Sequence, residues 1–117
     1  MPQKTATMNL PRLRQHIAAG RIRIEFALPH ALTEAFKDGL TVEELRTAVL
    51  TGDAIEDYGS RILLLAFTAP ERIPYHVVVE YVPGEVVATV VTTYIPDTVH
   101  WELPDWKRRK KGRRKKR

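Results

Sequence analysis

The pattern of apolar and polar positions predicts helices in the first half of the chain and strands in the second. Residues 10–19 are expected to form a helix, because Asn9 can cap its start, Pro11 suits its first turn and Gly20 ends it. Residues 21–26 then alternate between polar and apolar side chains, which is the period of a half-buried strand. The chain is therefore expected to open with one helix and one strand.

Two further helices are predicted before the remaining strands begin. Residues 30–37 are expected to form a short helix that ends at Gly39. Thr41 and Glu44 have the spacing of a capping box, in which the threonine hydroxyl and the glutamate side chain satisfy free backbone N–H groups at a helix start. The third helix is expected to end at Gly52.

Four segments rich in β-branched, leucine and aromatic residues follow, at residues 54–58, 61–68, 74–81 and 86–95. The turns between them are only a few residues long. Because a parallel crossover needs a dozen or more residues, neighbouring strands are expected to be antiparallel. Residues 62–67 and 86–91 are apolar on both faces, which predicts central strands. The order predicts an α+β fold in which two or three N-terminal helices pack on an antiparallel sheet of four to five strands.

Composition indicates one small folded domain. The 117 residues are 44% hydrophobic and 28% charged, and we expect residues 1–106 to form a single domain whose first eight residues are loose. The absence of cysteine excludes disulfides and thiolate chemistry. We see neither a secretory signal pattern nor an apolar run near the ~20 residues that span a bilayer, so we expect a cytoplasmic protein without a membrane partner.

The charge of the chain is concentrated at its end. Residues 107–117 contain ten basic residues and one glycine, whereas residues 1–106 hold nine basic and 14 acidic residues. We expect this segment to be disordered and to bind polyanions such as RNA or the ribosome. The predicted nucleic-acid contacts are Lys107, Arg108, Arg109, Lys110, Lys111, Arg113, Arg114, Lys115, Lys116 and Arg117. Trp101 and Trp106, which precede or adjoin it, are expected to pack on the domain.

The order of several short motifs resembles a known family. His30 and Ala31 open a helix, a capped helix ends at Gly52, and three strand motifs follow. These motifs read Leu63-Leu64-Leu65, His76-Val77-Val78-Val79 and Thr92-Thr93-Tyr94-Ile95-Pro96. In this order they resemble the bacterial and archaeal domain of unknown function 4258 family, from about residue 22 to residue 101.

That family is similar to the RelE-like ribonuclease toxins. The resemblance implies helices on a curved sheet, RNA on the open face, cleavage of RNA and a small antitoxin-like partner protein. It also implies that His30, His76, Thr92 and Tyr94 match recurring polar positions. The chain departs from the family at Glu34, where arginine is usual, and at Asp38, where a second arginine is frequent, and an acidic residue does not bind phosphate.

Cutting RNA without a metal requires a base, an acid and a cation. His30 and His76 can exchange protons, Arg61 can supply the cation, and Tyr94 can donate a hydroxyl proton. Thr92 completes the candidate catalytic set. Each of these residues also has an ordinary structural interpretation, as a helix-start residue or a strand former. The histidines have no metal-ligand spacing, and no cofactor motif occurs, so we expect neither a metal nor a cofactor.

Three hypotheses follow for function. In the first, the protein is a toxin-like, metal-independent endoribonuclease that the basic tail anchors to RNA or the ribosome. In the second, it is a binding module of the same fold that has lost catalysis. In the third, the tail folds back onto the acidic domain and covers it.

Overall fold

The computed structural model describes residues 8–27 and 29–110, which form three helices and one five-stranded sheet. The elements in chain order are α1 (Leu10–Ala18), β1 (Arg23–Phe26), α2 (His30–Lys37), α3 (Val42–Thr51), β2 (Asp53–Asp57), β3 (Arg61–Phe67), β4 (Pro74–Glu80) and β5 (Val87–Tyr94). This is an α+β fold, and each predicted helix and strand is present.

The helix starts use the side chains that the sequence indicates. The Asn9 Oδ1 atom accepts a hydrogen bond of 3.0 Å from the Arg12 backbone N–H. At α3, the Thr41 hydroxyl accepts from the Glu44 N–H at 3.1 Å, and the Glu44 carboxylate accepts from the Thr41 N–H at 2.9 Å. Both caps satisfy N–H groups that have no partner within their own helix.

The sheet has the strand order β1-β5-β4-β3-β2 and is mixed. The four consecutive strands β2 to β5 pair antiparallel, as their short turns predict. The edge strand β1 instead pairs in parallel with β5, with Arg23 opposite Val87. The argument from turn length applies only to strands joined by a short turn. About 60 residues separate β1 from β5, so the connection is long enough for the two strands to pair in parallel.

The three helices cover one face of the sheet and build the main core there. Leu13, Leu45 and Val49 from the helices are buried together with Leu64 and Val77 from the sheet. Met8 also belongs to this core, and its N–H donates to the Gly59 carbonyl oxygen at 2.9 Å. Met8, the last of the eight residues that were expected to be loose, is therefore packed in the core.

The opposite face of the sheet is buried in part. Leu63, Leu65 and His76 are almost fully inaccessible although they lie outside the helix-side core. Residues 101–110, which we call the strap, fold back over β4 and β2 on this face. This second cover explains why β3 is apolar on both faces, and β3 and β5 are interior strands as predicted.

Candidate functional site

The sheet register decides which of the candidate catalytic residues come together. His76 on β4 lies directly opposite Tyr94 on β5, and the centroids of the two rings are 5.2 Å apart. Thr92 lies opposite Val78, the next position on the same face. Three of the five candidates, counting Thr92, therefore share one part of one face.

Arg61 lies elsewhere on the sheet. It is paired with Glu80 across β3 and β4, and its Nε atom is 3.4 Å from the Glu80 carboxylate. The β3 residue opposite His76 is Leu65, four positions farther along the strand. At about 3.3 Å per residue this separation is roughly 13 Å. In this conformation Arg61 cannot stabilise a phosphate that His76 contacts.

His30 begins α2, as predicted. Its side chain lies outside the described part of the structure, so its proximity to His76 stays a prediction.

The imidazole of His76 is completely buried and held in one tautomer. Its Nε2 atom is 3.0 Å from the Trp106 carbonyl oxygen, which can only accept, so Nε2 carries the proton. The Nδ1 atom has no hydrogen-bond partner among the described residues. Burial lowers the pKa of His76 to about 4, although the Trp106 carbonyl and Glu56 oppose this change. His76 is therefore neutral at pH 7, with an unused lone pair on Nδ1.

The strap covers His76 with aromatic and backbone contacts. The ring of Trp101 meets the ring of His76 edge-on, with centroids 4.4 Å apart. Residues 101 and 109 form an antiparallel bridge within the strap, and the Glu102 N–H donates to the Arg108 carbonyl at 2.8 Å. Trp106 adopts φ of 64°, a left-handed conformation that costs a non-glycine residue about 1–2 kcal/mol. The strap is thus held as a defined turn over His76.

Ion pairs fix the strap to β2. The Arg109 guanidinium donates to both oxygens of the Glu56 carboxylate, at 2.8 and 3.0 Å, and lies 4.6 Å from the centre of the Trp101 ring. Lys107 lies 3.7 Å from the Asp53 carboxylate. These two cations belong to the predicted nucleic-acid segment, and here they neutralise carboxylates of the domain. Contacts with residues 1–106 therefore continue beyond Trp106, the predicted domain end, and reach Lys110, whose N–H donates to the His100 carbonyl oxygen at 2.8 Å.

Glu56 is the central acidic group of the site. It also accepts a hydrogen bond from the Tyr58 hydroxyl. Burial raises the pKa of this carboxyl, but the hydrogen bonds from Arg109 and Tyr58 outweigh burial, so its pKa is lowered. On the other side of His76, burial raises the pKa of Tyr94, which keeps its hydroxyl protonated. The face thus carries a neutral base, a proton donor and one ionised carboxylate.

Three site residues were not predicted in these roles. Glu56 lies in a polar edge strand and resembles a surface residue in the sequence. Arg109 is one of ten similar cations, and only the fold selects it. Trp101 was expected to pack on the domain, and it is 3% exposed, but its contact with His76 depends on the return of the chain after β5.

Of the other eight predicted nucleic-acid contacts, the structure describes two. Arg108 and Lys110 are exposed. The other six, Lys111, Arg113, Arg114, Lys115, Lys116 and Arg117, lie outside the described residues.

Comparison with known proteins matches residues 28–95 to the family described as Domain of unknown function (DUF4258). This range covers more than half of the chain. The protein belongs to the DUF4258 family. The match lies within residues 22–101, where the motif order indicates the resemblance, and it includes His30, Arg61, His76, Thr92 and Tyr94. No curated protein and no solved structure matches the DUF4258 chain.

The strap and α1 both lie outside the range that the family match covers. The cover over His76 is therefore a feature of this chain rather than of the matched range. Among the described residues, no helix is both long enough and apolar enough to cross a membrane.

Proposed function

We propose that the protein is an RNA-binding module, directed to RNA or the ribosome by its C-terminal basic segment, residues 107–117. The observation that carries this proposal is the density of charge, ten Lys or Arg in eleven residues. Such a segment releases the counterions condensed on a nucleic acid, which favours binding regardless of sequence. Residues 1–106 carry an excess of five acidic residues, so the segment rather than the average domain surface supplies the attraction.

The geometry of the sheet face favours binding over cleavage while the strap is docked. A general base must reach the 2′-hydroxyl group, and His76 is completely buried. The charged transition state needs a nearby cation, and Arg61 is paired with Glu80 at another part of the sheet. Glu34 and Asp38, at positions where arginine is usual or frequent in the family, support the same proposal.

A second candidate function is metal-independent cleavage of RNA after the strap has moved. The unpartnered Nδ1 atom of His76 beside the protonated Tyr94 favours it. His76 would remove the 2′-hydroxyl proton, and the resulting oxygen would attack phosphorus. The 5′-oxygen would leave with a proton from Tyr94, which yields a 2′,3′-cyclic phosphate and a free 5′-hydroxyl. This is the chemistry that the resemblance to RelE-like toxins implies.

Binding is tested with full-length protein and a fluorescent single-stranded RNA at several salt concentrations. If all ten cations contact phosphates, log K should fall against log salt with a slope of about −7, at ~0.7 per contact. A variant with glutamine at the six basic positions of residues 111–117 should reduce that slope by about 4. Tight binding with an unchanged slope would place the anchor elsewhere and overturn the proposal.

Cleavage is tested by incubating the protein with messenger RNA in EDTA, with and without ribosomes, and mapping new ends. The proposal of a binding module predicts no new ends. Discrete cuts that persist in His100→Ala but disappear in His76→Ala would establish the second candidate instead. His100 is a suitable control, because it is exposed and hydrogen-bonds to Asp97 outside the site.

A further inference from the structure

A cleft of about 450 Å³ lies between α1 and the turn that follows β4, away from the strap. Asn9, Arg12 and His16 of the α1 region line one side, and Tyr81 and Pro83 line the other. Arg12 and His16 are four residues apart, so they lie on the same face of α1. The cleft therefore has one basic wall and one aromatic wall.

Arg21, in the loop after α1, does not line the cleft itself but contacts His16, which does. The Arg21 Nη1 atom is 3.3 Å from the His16 Nδ1 atom. Because a guanidinium can only donate, this contact leaves His16 Nε2 as the protonated nitrogen, a hydrogen-bond donor. Arg12 and Arg21 are exposed, and neither forms an ion pair with a described carboxylate. His16 therefore lies between Arg12 and Arg21 along the chain, and neither arginine is paired with a described carboxylate.

Two neighbouring arginines, Arg14 and Arg23, do not contribute to this basic surface, because each is engaged elsewhere. Arg14 points the other way and donates to the carbonyl oxygens of Val49 and Gly52. Arg23 is paired with Glu25 at 3.2 Å. Beyond Tyr81 the adjoining depression is acidic, since Glu80 and Glu85 line it. The basic surface next to Tyr81 thus consists of Arg12, His16 and Arg21.

The charged residues of the domain are also unevenly distributed along the sequence. Residues 1–26 contain five Lys or Arg and one acidic residue, whereas residues 27–106 contain four Lys or Arg and 13 acidic residues. The excess of acidic residues in the domain therefore conceals a basic N-terminal region. An RNA strand that the C-terminal segment attracts would be repelled by most of the domain but not by this cleft.

We propose that the cleft binds a phosphodiester of single-stranded RNA, a second contact that rests on the proposed RNA-binding function. Arg12 and Arg21 neutralise the phosphate, and the His16 Nε2–H group donates to a phosphate oxygen. The adjoining base stacks against the ring of Tyr81, which is sequence-tolerant because every base has an aromatic face. The Tyr81 hydroxyl donates to the Glu85 carbonyl oxygen at 2.8 Å, which holds the ring in place before RNA binds.

The test compares two full-length double variants of equal charge. Arg12→Gln with Arg21→Gln removes the two arginines of the basic surface, and Lys37→Gln with Arg46→Gln removes two exposed cations of α2 and α3. Binding of a twelve-nucleotide oligouridine is measured by fluorescence anisotropy between 50 and 300 mM salt. The cleft variant should reduce the slope of log K against log salt by about 1.4, at ~0.7 for each lost contact. The control variant should keep the wild-type slope.

Equal slopes in the two variants would overturn the proposal that the cleft binds RNA, while leaving RNA binding by the C-terminal segment intact. Absence of binding by the wild-type protein would overturn both proposals. A second measurement is independent of affinity: the backbone amide resonances of His16 and Gly84 should shift when oligouridine is added. Resonance shifts confined to the C-terminal residues would also contradict RNA binding in the cleft.

Discussion

At the scale of single residues, burial of His76 links the stability of the domain to pH. Burial lowers its pKa from 6.5 to about 4 in the folded state. Between these values the unfolded chain binds the proton and the folded protein does not, so the free energy of unfolding falls as pH falls. The full contribution is present above about pH 6.5, and the loss on reaching pH 4 is about 3 kcal/mol. Urea unfolding at pH 7 and pH 4 measures this change.

The His76→Phe variant isolates this residue from other acid-sensitive groups. The pKa of Glu56 and that of Asp97 are also lowered, and both carboxylates remain in the variant. The stability of His76→Phe should therefore depend less on pH than that of the wild type. Equal pH dependence in the two proteins would contradict the assignment of the titration to His76.

The sequence could identify His76 and Tyr94 as candidates but not their burial. Short turns predict that β4 and β5 are antiparallel neighbours. The register that places the two rings opposite each other also depends on an irregularity in this pairing between Val78 and Val79, which the sequence does not reveal. Burial depends on Trp101 and Arg109, which return over the sheet after its last strand. A dense run of cations predicts a solvated tail, because nothing in the local sequence says that Glu56 accepts one of them.

At the scale of secondary-structure elements, Arg14 joins α1 to the end of α3. Its Nε atom donates to the Val49 carbonyl at 2.8 Å, and Nη2 donates to the Gly52 carbonyl at 2.6 Å. A cation at a helix C-terminus also interacts favourably with the helix dipole. Arg14→Met should lower the free energy of unfolding by about 2 kcal/mol, measured by urea denaturation.

The matched control on the same helix is Arg12→Met. Arg12 is exposed and its side chain forms no hydrogen bond with a described residue, so the change should stay within about 0.5 kcal/mol. Equal destabilisation by the two substitutions would show that methionine in α1, rather than loss of the carbonyl contacts, is responsible.

The elements themselves were predictable because their signals are local. Asn9, Thr41 and Glu44 cap helices through residues three positions away, and those contacts are present. The parallel pairing of β1 with β5 was not predictable in this way. The two strands are separated by all the other elements except α1, so their pairing depends on the path of the whole intervening chain and no local signal encodes it.

At the scale of the whole molecule, the acidic central part of the chain and the polyanion compete for the same C-terminal cations. Arg109 cannot pair with Glu56 and with a phosphate at the same time, so docking of the strap opposes RNA binding by linkage. Glu56→Gln should therefore strengthen RNA binding. Because the Arg109 side chain is 55% exposed, the pair is worth no more than about 1 kcal/mol, which corresponds to at most about fivefold in affinity.

Glu80→Gln provides the control for this prediction. It removes the same charge and breaks the Arg61–Glu80 pair without touching the strap, so any general electrostatic gain appears in both variants.

Tryptophan emission reports on docking separately, because both tryptophans of the chain, Trp101 and Trp106, lie in the strap. Glu56→Gln should shift the emission to longer wavelength, as RNA should in the wild type, whereas Glu80→Gln should not. An equal gain in affinity in the two variants, with unchanged emission, would mean that the strap stays docked when RNA binds. The Glu56 pair would then be structural, and His76 would remain covered in the RNA complex.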